Sequence, residues 1–147
     1  MNWTATEYED LHRIVLAEDP SEVDALSLMP DTGQVREMLR LNAYSWIEDD
    51  TVLAVAGISP MWKGVGTVWT MISEESRGRG VALTKGIHWF LDMLRRDRGY
   101  WRIQATVARG DERARRWIIH LGFAYEGTMV AYGPNGKTHD MYARVRG

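Results

Sequence analysis

Eight residues in the middle of the chain, Val65-Gly-Thr-Val-Trp-Thr-Met-Ile72, are apolar on both faces of an extended backbone. A strand of that kind has to be covered on both sides, so it belongs at the centre of a sheet with helices layered over it. The flanking sequence supplies the remaining layers. Upstream, residues 43–48 and 51–58 read as strands joined at Asp49-Asp50, and Pro60 and Gly64 mark the next turn. Downstream, residues 81–96 carry Leu83, Ile87, Phe90, Leu91 and Leu94 along one helical stripe. A strand over 100–108 and a helix over 111–121 follow, the latter with Ala114, Trp117, Ile118 and Leu121 on one face. Strands over 123–132 and 138–145 close the chain as a hairpin across Gly133-Pro134-Asn135-Gly136.

The opening segment reads as helical. Residues 6–17 space Tyr8, Leu11 and Val15 by three and four, a short piece over 22–28 lies between Pro20 and Pro30, and Asp31-Thr32 starts another helix over 34–41. The order is helices, three strands, helix, strand, helix, two strands, which predicts a mixed α/β sheet with helices on its faces. At 147 residues the chain is expected to be one domain, residues 1–147, with enough length to bury a core. A composition of 45% hydrophobic and 26% charged residues excludes a disordered or collagen-like chain. No apolar run approaches the roughly 18 residues of a membrane span, and the start Met1-Asn2-Trp3-Thr4 predicts no secretory signal. With no cysteine, disulfides, thiolate zinc sites and cysteine nucleophiles are ruled out. His12 and His139 have no partners at metal-ligand spacing, so no metal is expected.

The net charge of −2 conceals a division. Residues 1–75 hold 14 Asp/Glu against 4 Lys/Arg, whereas 76–147 hold 14 Lys/Arg against 6 Asp/Glu. The basic half begins at the most informative stretch of the chain, Ser73-Glu74-Glu75-Ser76-Arg77-Gly78-Arg79-Gly80-Val81-Ala82, between the central strand and the long helix. Glycines at the mouth of a helix expose backbone N–H groups, and with the positive end of the helix dipole these make an anion site suited to a phosphate or pyrophosphate. Arg77 and Arg79 add charge-assisted donors. The same glycines would also serve a plain strand-to-helix turn. A Walker loop is excluded because Gly-Lys-Ser/Thr is absent, and Leu83 stands where a dinucleotide fingerprint needs its third glycine.

Arg77-x-x-Gly80-x-Ala82 after an apolar strand resembles the Arg/Gln-x-x-Gly-x-Gly/Ala motif of the GNAT superfamily of N-acetyltransferases. Asp111-Glu112-Arg113-Ala114, Trp117 and Leu121-Gly122-Phe123 resemble that family's second motif. The ending from Leu121 to Gly136 also resembles short GNAT proteins encoded by tailed phages. The resemblance implies a mostly antiparallel sheet of about six or seven strands with about four helices. It implies acetyl-CoA as co-substrate, with pantetheine along the backbone of Met71, Ile72 and Ser73 and the pyrophosphate on Arg77, Gly78, Arg79, Gly80, Val81 and Ala82, helped by Asp111 and Ala114. An amine of a protein or small molecule would then attack the thioester directly, in the cytoplasm, or the host cytoplasm for a phage protein. The acidic first segment suits a cationic acceptor, and Trp62 is a candidate for the acceptor side or for a homodimer contact.

Three departures stand out. The general-acid Tyr of the family falls at Ile118, and the usual Asn is Asp111. The strands over 66–72 and 100–108 also lack any Asp or Glu to act as base. Substitutes are Ser73 or Tyr125 as acid and Glu74 or Glu75 as a relay through water; a loop and packing role is the plainer account of Glu74, Glu75 and Tyr125. The rival readings are a GNAT-fold module that binds CoA or a protein without turnover and, behind both, a nucleic-acid-binding domain using Arg95, Arg96, Arg98, Arg113, Arg115 and Arg116. Trp69, Trp89, Trp101 and Trp117 are assigned to core packing.

Overall fold

The structure, a computed structural model, describes residues 3–14 and 30–146. It is a mixed α/β fold. Its strands are β1 (Trp3–Ala5), β2 (Ala43–Glu48), β3 (Thr51–Trp62), β4 (Val65–Ile72), β5 (Arg102–Ala108), β6 (Ala124–Met129) and β7 (His139–Val145). Its helices are α1 (Tyr8–Arg13), α2 (Gly33–Asn42), α3 (Gly80–Arg96) and α4 (Glu112–His120). The seven strands form one sheet in the order β1-β2-β3-β4-β5-β7-β6. The β1–β2, β2–β3, β5–β7 and β6–β7 pairs are antiparallel, and β4 pairs with β5 in parallel from Val65↔Arg102 to Thr67↔Gln104. The chain divides into two compact units, Met1–Ile58 with Trp69–Phe90, and Ser59–Val68 with Leu91–Gly147.

In the first unit, Leu11, Ile14, Leu39, Ala43, Val52, Val55 and Met71 form a buried cluster. The caps follow from the local sequence. Asp10 accepts the Glu7 amide at 3.0 Å to hold the start of α1, and Thr32 Oγ1 accepts the Val35 amide at 3.1 Å to start α2. Asp49 and Asp50 both take positive φ, 49° and 62°, in the tight turn between β2 and β3, a conformation that short polar side chains tolerate. Trp69 lies against Gly57, where a Cβ would fall 2.3 Å from its Cζ2.

In the second unit, β5 pairs with β7 over their full lengths, from Arg102↔Val145 to Ala108↔His139, and β6 forms the outer strand. Leu94, Ile103, Ala105, Leu121, Phe123 and Tyr142 are buried there. Asp111 Oδ1 accepts the Ala114 amide at 3.1 Å and caps α4 as its position suggested.

Several boundaries differ from expectation. β1 has no counterpart in the sequence reading. The first helix is shorter than 6–17 within the described residues, because Thr6 instead donates its amide to Ala43 O at 3.0 Å. The helical piece over 22–28 lies outside the described residues. Pro60 sits inside β3 rather than in a turn; pairing with β2 ends at Ala43↔Gly57, so its missing N–H interrupts nothing there. Tyr100 and Trp101 precede β5, and β6 ends at Met129. Trp89 and Trp101 are exposed rather than core.

Candidate functional site

The first unit assembles the sequence-predicted loop as a continuous device. β4 hands over at Ser73, whose amide donates to Leu53 O at 2.9 Å, so the loop leaves from a fixed point on the neighbouring strand. Ser73 is buried, and its Oγ accepts the Glu75 amide at 3.1 Å. That bond starts a single 3-10 turn over Glu74–Ser76. Ser76 Oγ donates back to Ser73 O at 2.6 Å and ties the turn shut. Arg77 and Arg79 donate their amides to Glu74 O and Ser76 O at 3.1 and 3.0 Å.

Gly78 adopts φ +86°, a region that disfavours any side chain, and there the chain reverses into α3. The first amide of α3 with a backbone acceptor is Leu83, to Arg79 O at 3.0 Å. The amides of Gly80, Val81 and Ala82 therefore form the unpaired first turn of a 17-residue helix. A Cβ added at Gly78 or Gly80 would meet nothing within 4 Å, and Val81 is 74% exposed. The glycines thus face open space rather than a packed neighbour. A group with negative charge can approach these amides without displacing protein.

One partner is missing from the sequence reading. Glu48, at the end of β2, forms an ion pair with Arg79. Its other carboxylate oxygen accepts Trp46 Nε1 at 3.2 Å. The Arg79 hydrogen bond, with a smaller contribution from Trp46, holds the Glu48 carboxyl below its ordinary range. Arg79 is thus anchored beside the helix start, while Arg77 is exposed. Nothing in the sequence pairs positions 31 apart, so only the fold reveals this contact.

The remaining candidates are placed as follows. Met71 is buried in the core cluster and Ile72 is half-buried at the end of β4. Glu74 and Glu75 are exposed on the 3-10 turn. In the second unit, Asp111 and Ala114 are joined by the helix cap. Tyr125 Oη is 2.7 Å from Thr128 Oγ1, which donates to Asp140 Oδ1 at 2.8 Å, and Arg109 donates to both Thr128 and Asp140. Tyr125 therefore has a defined polar partner rather than a pure packing role. Ile118 is buried on α4 at 8% exposure. No group of three His, Asp or Glu side chains is placed to hold a metal ion among the described residues, and no helix among them is long and apolar enough to cross a membrane.

No protein-family model matches the sequence, and no curated protein matches it. Solved structures do match. A ribosomal-protein-alanine N-acetyltransferase from Brucella melitensis superposes with TM-score 0.75 at 13% identity, covering 99% of this chain and 99% of that one. A GNAT-family acetyltransferase from Bacillus anthracis gives TM-score 0.70 at 14% identity over 97% of this chain and 93% of the other. A point mutant of spermidine N-acetyltransferase from Vibrio cholerae gives 0.70 at 16% identity over 99% and 95%. Coverage near the full length of every partner means that this chain carries the fold of the GNAT N-acetyltransferases.

Proposed function

We propose that the chain, acting as one domain, is an acetyl-CoA-dependent N-acetyltransferase that acylates an amine of a protein or small molecule. The observation that carries this reading is the open first turn of α3. Gly80, Val81 and Ala82 present amides at the dipole's positive end, Gly78 and Gly80 leave the approach clear, and Arg77 and Arg79 flank it. That cradle fits a pyrophosphate, and the fold is one on which acetyl transfer is performed.

Acetyl-CoA supplies an activated acyl thioester. The chain's own part is mostly positioning. Backbone at Met71 and Ile72 aligns the pantetheine arm, since the Ser73 N–H and O are held by Leu53 and Ser76, and an N–H near Ile72 polarises the acyl carbonyl. An acceptor amine attacks that carbonyl, forming a C–N bond as the C–S bond breaks. The amine loses a proton and the departing thiolate gains one. Ser73 Oγ accepts the Glu75 amide and keeps its own proton to donate, so Ser73, Glu74 through water and Tyr125 are the proton-carrying candidates. The different acceptors of the matched structures, a ribosomal-protein alanine and spermidine, leave the amine unassigned.

A second reading keeps the cradle and drops turnover: a module that binds CoA or a protein partner. The buried aliphatic Ile118, at the position where the family carries its acid, favours it. Calorimetry with acetyl-CoA and release of free thiol with an amine panel separate the two. Binding with thiol release supports the enzyme, binding without it supports the module, and absence of binding defeats both.

A further inference from the structure

The second unit carries a surface that the acetyltransferase reading leaves unused. Trp62 ends β3 and is 66% exposed. Lys63 and Gly64 form the following turn, and Gly64 takes φ +80°. Trp101, 47% exposed, lies over that turn, since a Cβ built on Gly64 would be 2.3 Å from both Cε3 and Cζ3 of its ring. Backbone bonds fix the arrangement: Trp101 and Arg102 donate to Gly64 O at 2.9 and 3.0 Å, and Arg146 donates to Trp101 O at 2.8 Å. Two exposed tryptophans therefore stand at one end of the second unit, where the turn after β3, the start of β5 and the end of β7 meet.

The same end is basic. Lys63 follows Trp62 in the turn over which Trp101 lies, and Arg146 follows β7. Arg95 and Arg96 close α3, and Arg98 precedes Tyr100, whose amide is held by Leu94 O at 3.1 Å. Asp97 is the one acid in the run from 95 to 101. Lys63, Arg95, Arg96 and Arg146 form no ion pair within the described residues, whereas Arg102, Arg109, Arg115 and Arg144 each hold an acid. Exposed tryptophan faces beside unneutralised cations match what single-stranded nucleic acids offer: stackable bases every few ångströms along a chain of phosphates.

We propose that this end of the second unit is a binding surface for single-stranded nucleic acid, with Trp62 and Trp101 stacking bases and Lys63, Arg95, Arg96 and Arg146 contacting phosphates. A lipid surface shares the charge but would require an apolar insertion, and the tryptophans stand beside Lys63 in the turn and Arg102 at the start of β5 instead. A duplex hides its base faces. Both alternatives are outcomes of the test.

The test is fluorescence anisotropy with a labelled oligothymidylate of about 12 nucleotides, run beside a duplex of equal length and phosphatidylserine vesicles. Four phosphate contacts give a slope of log affinity against log salt near −3, hence about 50-fold weaker binding at about 200 mM than at about 50 mM salt. Trp62→Ala removes an exposed side chain and is expected to weaken binding about fivefold or more. The pair Arg95→Glu and Arg96→Glu is expected to flatten the salt slope, with circular dichroism confirming that both variants fold. The proposal is overturned by no single-strand binding at about 50 mM salt, by equal or tighter binding of the duplex, by vesicle binding alone, or by a folded Trp62→Ala that binds unchanged.

Discussion

Gly80 allows the anion cradle to be probed with little disturbance of the fold. It opens α3, its φ is not positive, and an added Cβ meets nothing within 4 Å. Gly80→Ala and Gly80→Asp are therefore expected to fold as the parent does, with an acidic residue in the first turn even mildly favourable to the helix. Their effect on a ligand is the opposite. An aspartate carboxylate within about 4 Å of a pyrophosphate with two charges opposes it by about 1 kcal/mol per charge at the dielectric of water and low salt, so by ~2 kcal/mol, or about 30-fold in affinity. At a ligand concentration of ~100 Kd the parent gains ~2.7 kcal/mol. That corresponds to a rise in melting temperature of about 5–10 °C for a chain of this size. At the same concentration Gly80→Asp retains only ~0.9 kcal/mol, a rise of about 2–4 °C. Differential scanning fluorimetry with acetyl-CoA reads both numbers, and the ligand-free melting temperature reports whether the fold was disturbed. A ligand-induced shift of equal size in parent and Gly80→Asp would refute the placement of the anion on this helix turn.

Three further outcomes follow from the described contacts. Because Arg79 depresses the Glu48 carboxyl, the pair's stabilisation is complete above the unfolded carboxyl value of about 4.3 and is lost as the pH falls through the lower folded value. A carboxyl-detected NMR titration should show a midpoint below the ordinary range that returns toward it in Arg79→Gln; an unmoved midpoint would break the assignment. Gly57→Ala drives a methyl to within 2.3 Å of the Trp69 ring and should cost ~1–3 kcal/mol, lowering the melting temperature by about 2–12 °C. Asp111→Ala removes the cap of α4 and should cost ~1 kcal/mol by denaturant unfolding, with Asp111→Asn close to parent.

The features legible in the sequence are those whose cause is local. The two-sided apolar run became β4, the hydrophobic stripe of Leu83 to Leu94 became α3, and Thr32 and Asp111 became caps because a side-chain oxygen two or three residues before an amide is enough to start a helix. The cradle was legible for the same reason, since its glycines and helix mouth are neighbours in the chain. What escaped depends on distant partners. β1 is three residues long, too short for any periodicity, and exists because it pairs with β2 from Trp3↔Trp46 to Ala5↔Tyr44 while the Trp3 ring fills the space above Gly86. Trp101, expected in the core, lies over the distant Gly64 and stays exposed. Glu48 gave no sign of meeting Arg79.

Ile118 decides how much chemistry to expect from the proposed enzyme. A thiol of ordinary pKa near 8.5 leaves as a thiolate of only modest basicity, so the reaction does not stop without an acid. Where no other side chain takes over the acid's role, the loss is the general-acid factor, about 10²–10⁴. Slow turnover with normal binding is then the expected behaviour of the parent, and it lies between the two functional readings rather than on either extreme. Ile118→Tyr restores a phenol at that helix position. Ile118 is buried, so the larger ring should cost ~1–3 kcal/mol of stability through overpacking. If α4 places the phenol beside the departing sulfur, kcat rises by up to that factor while KM for acetyl-CoA stays near its parent value, because an acid that acts only as the C–S bond breaks adds nothing to ground-state binding. A folded Ile118→Tyr that binds acetyl-CoA and still releases no thiol with any amine would show that the proton was not the missing part, and would leave binding as the whole of the function.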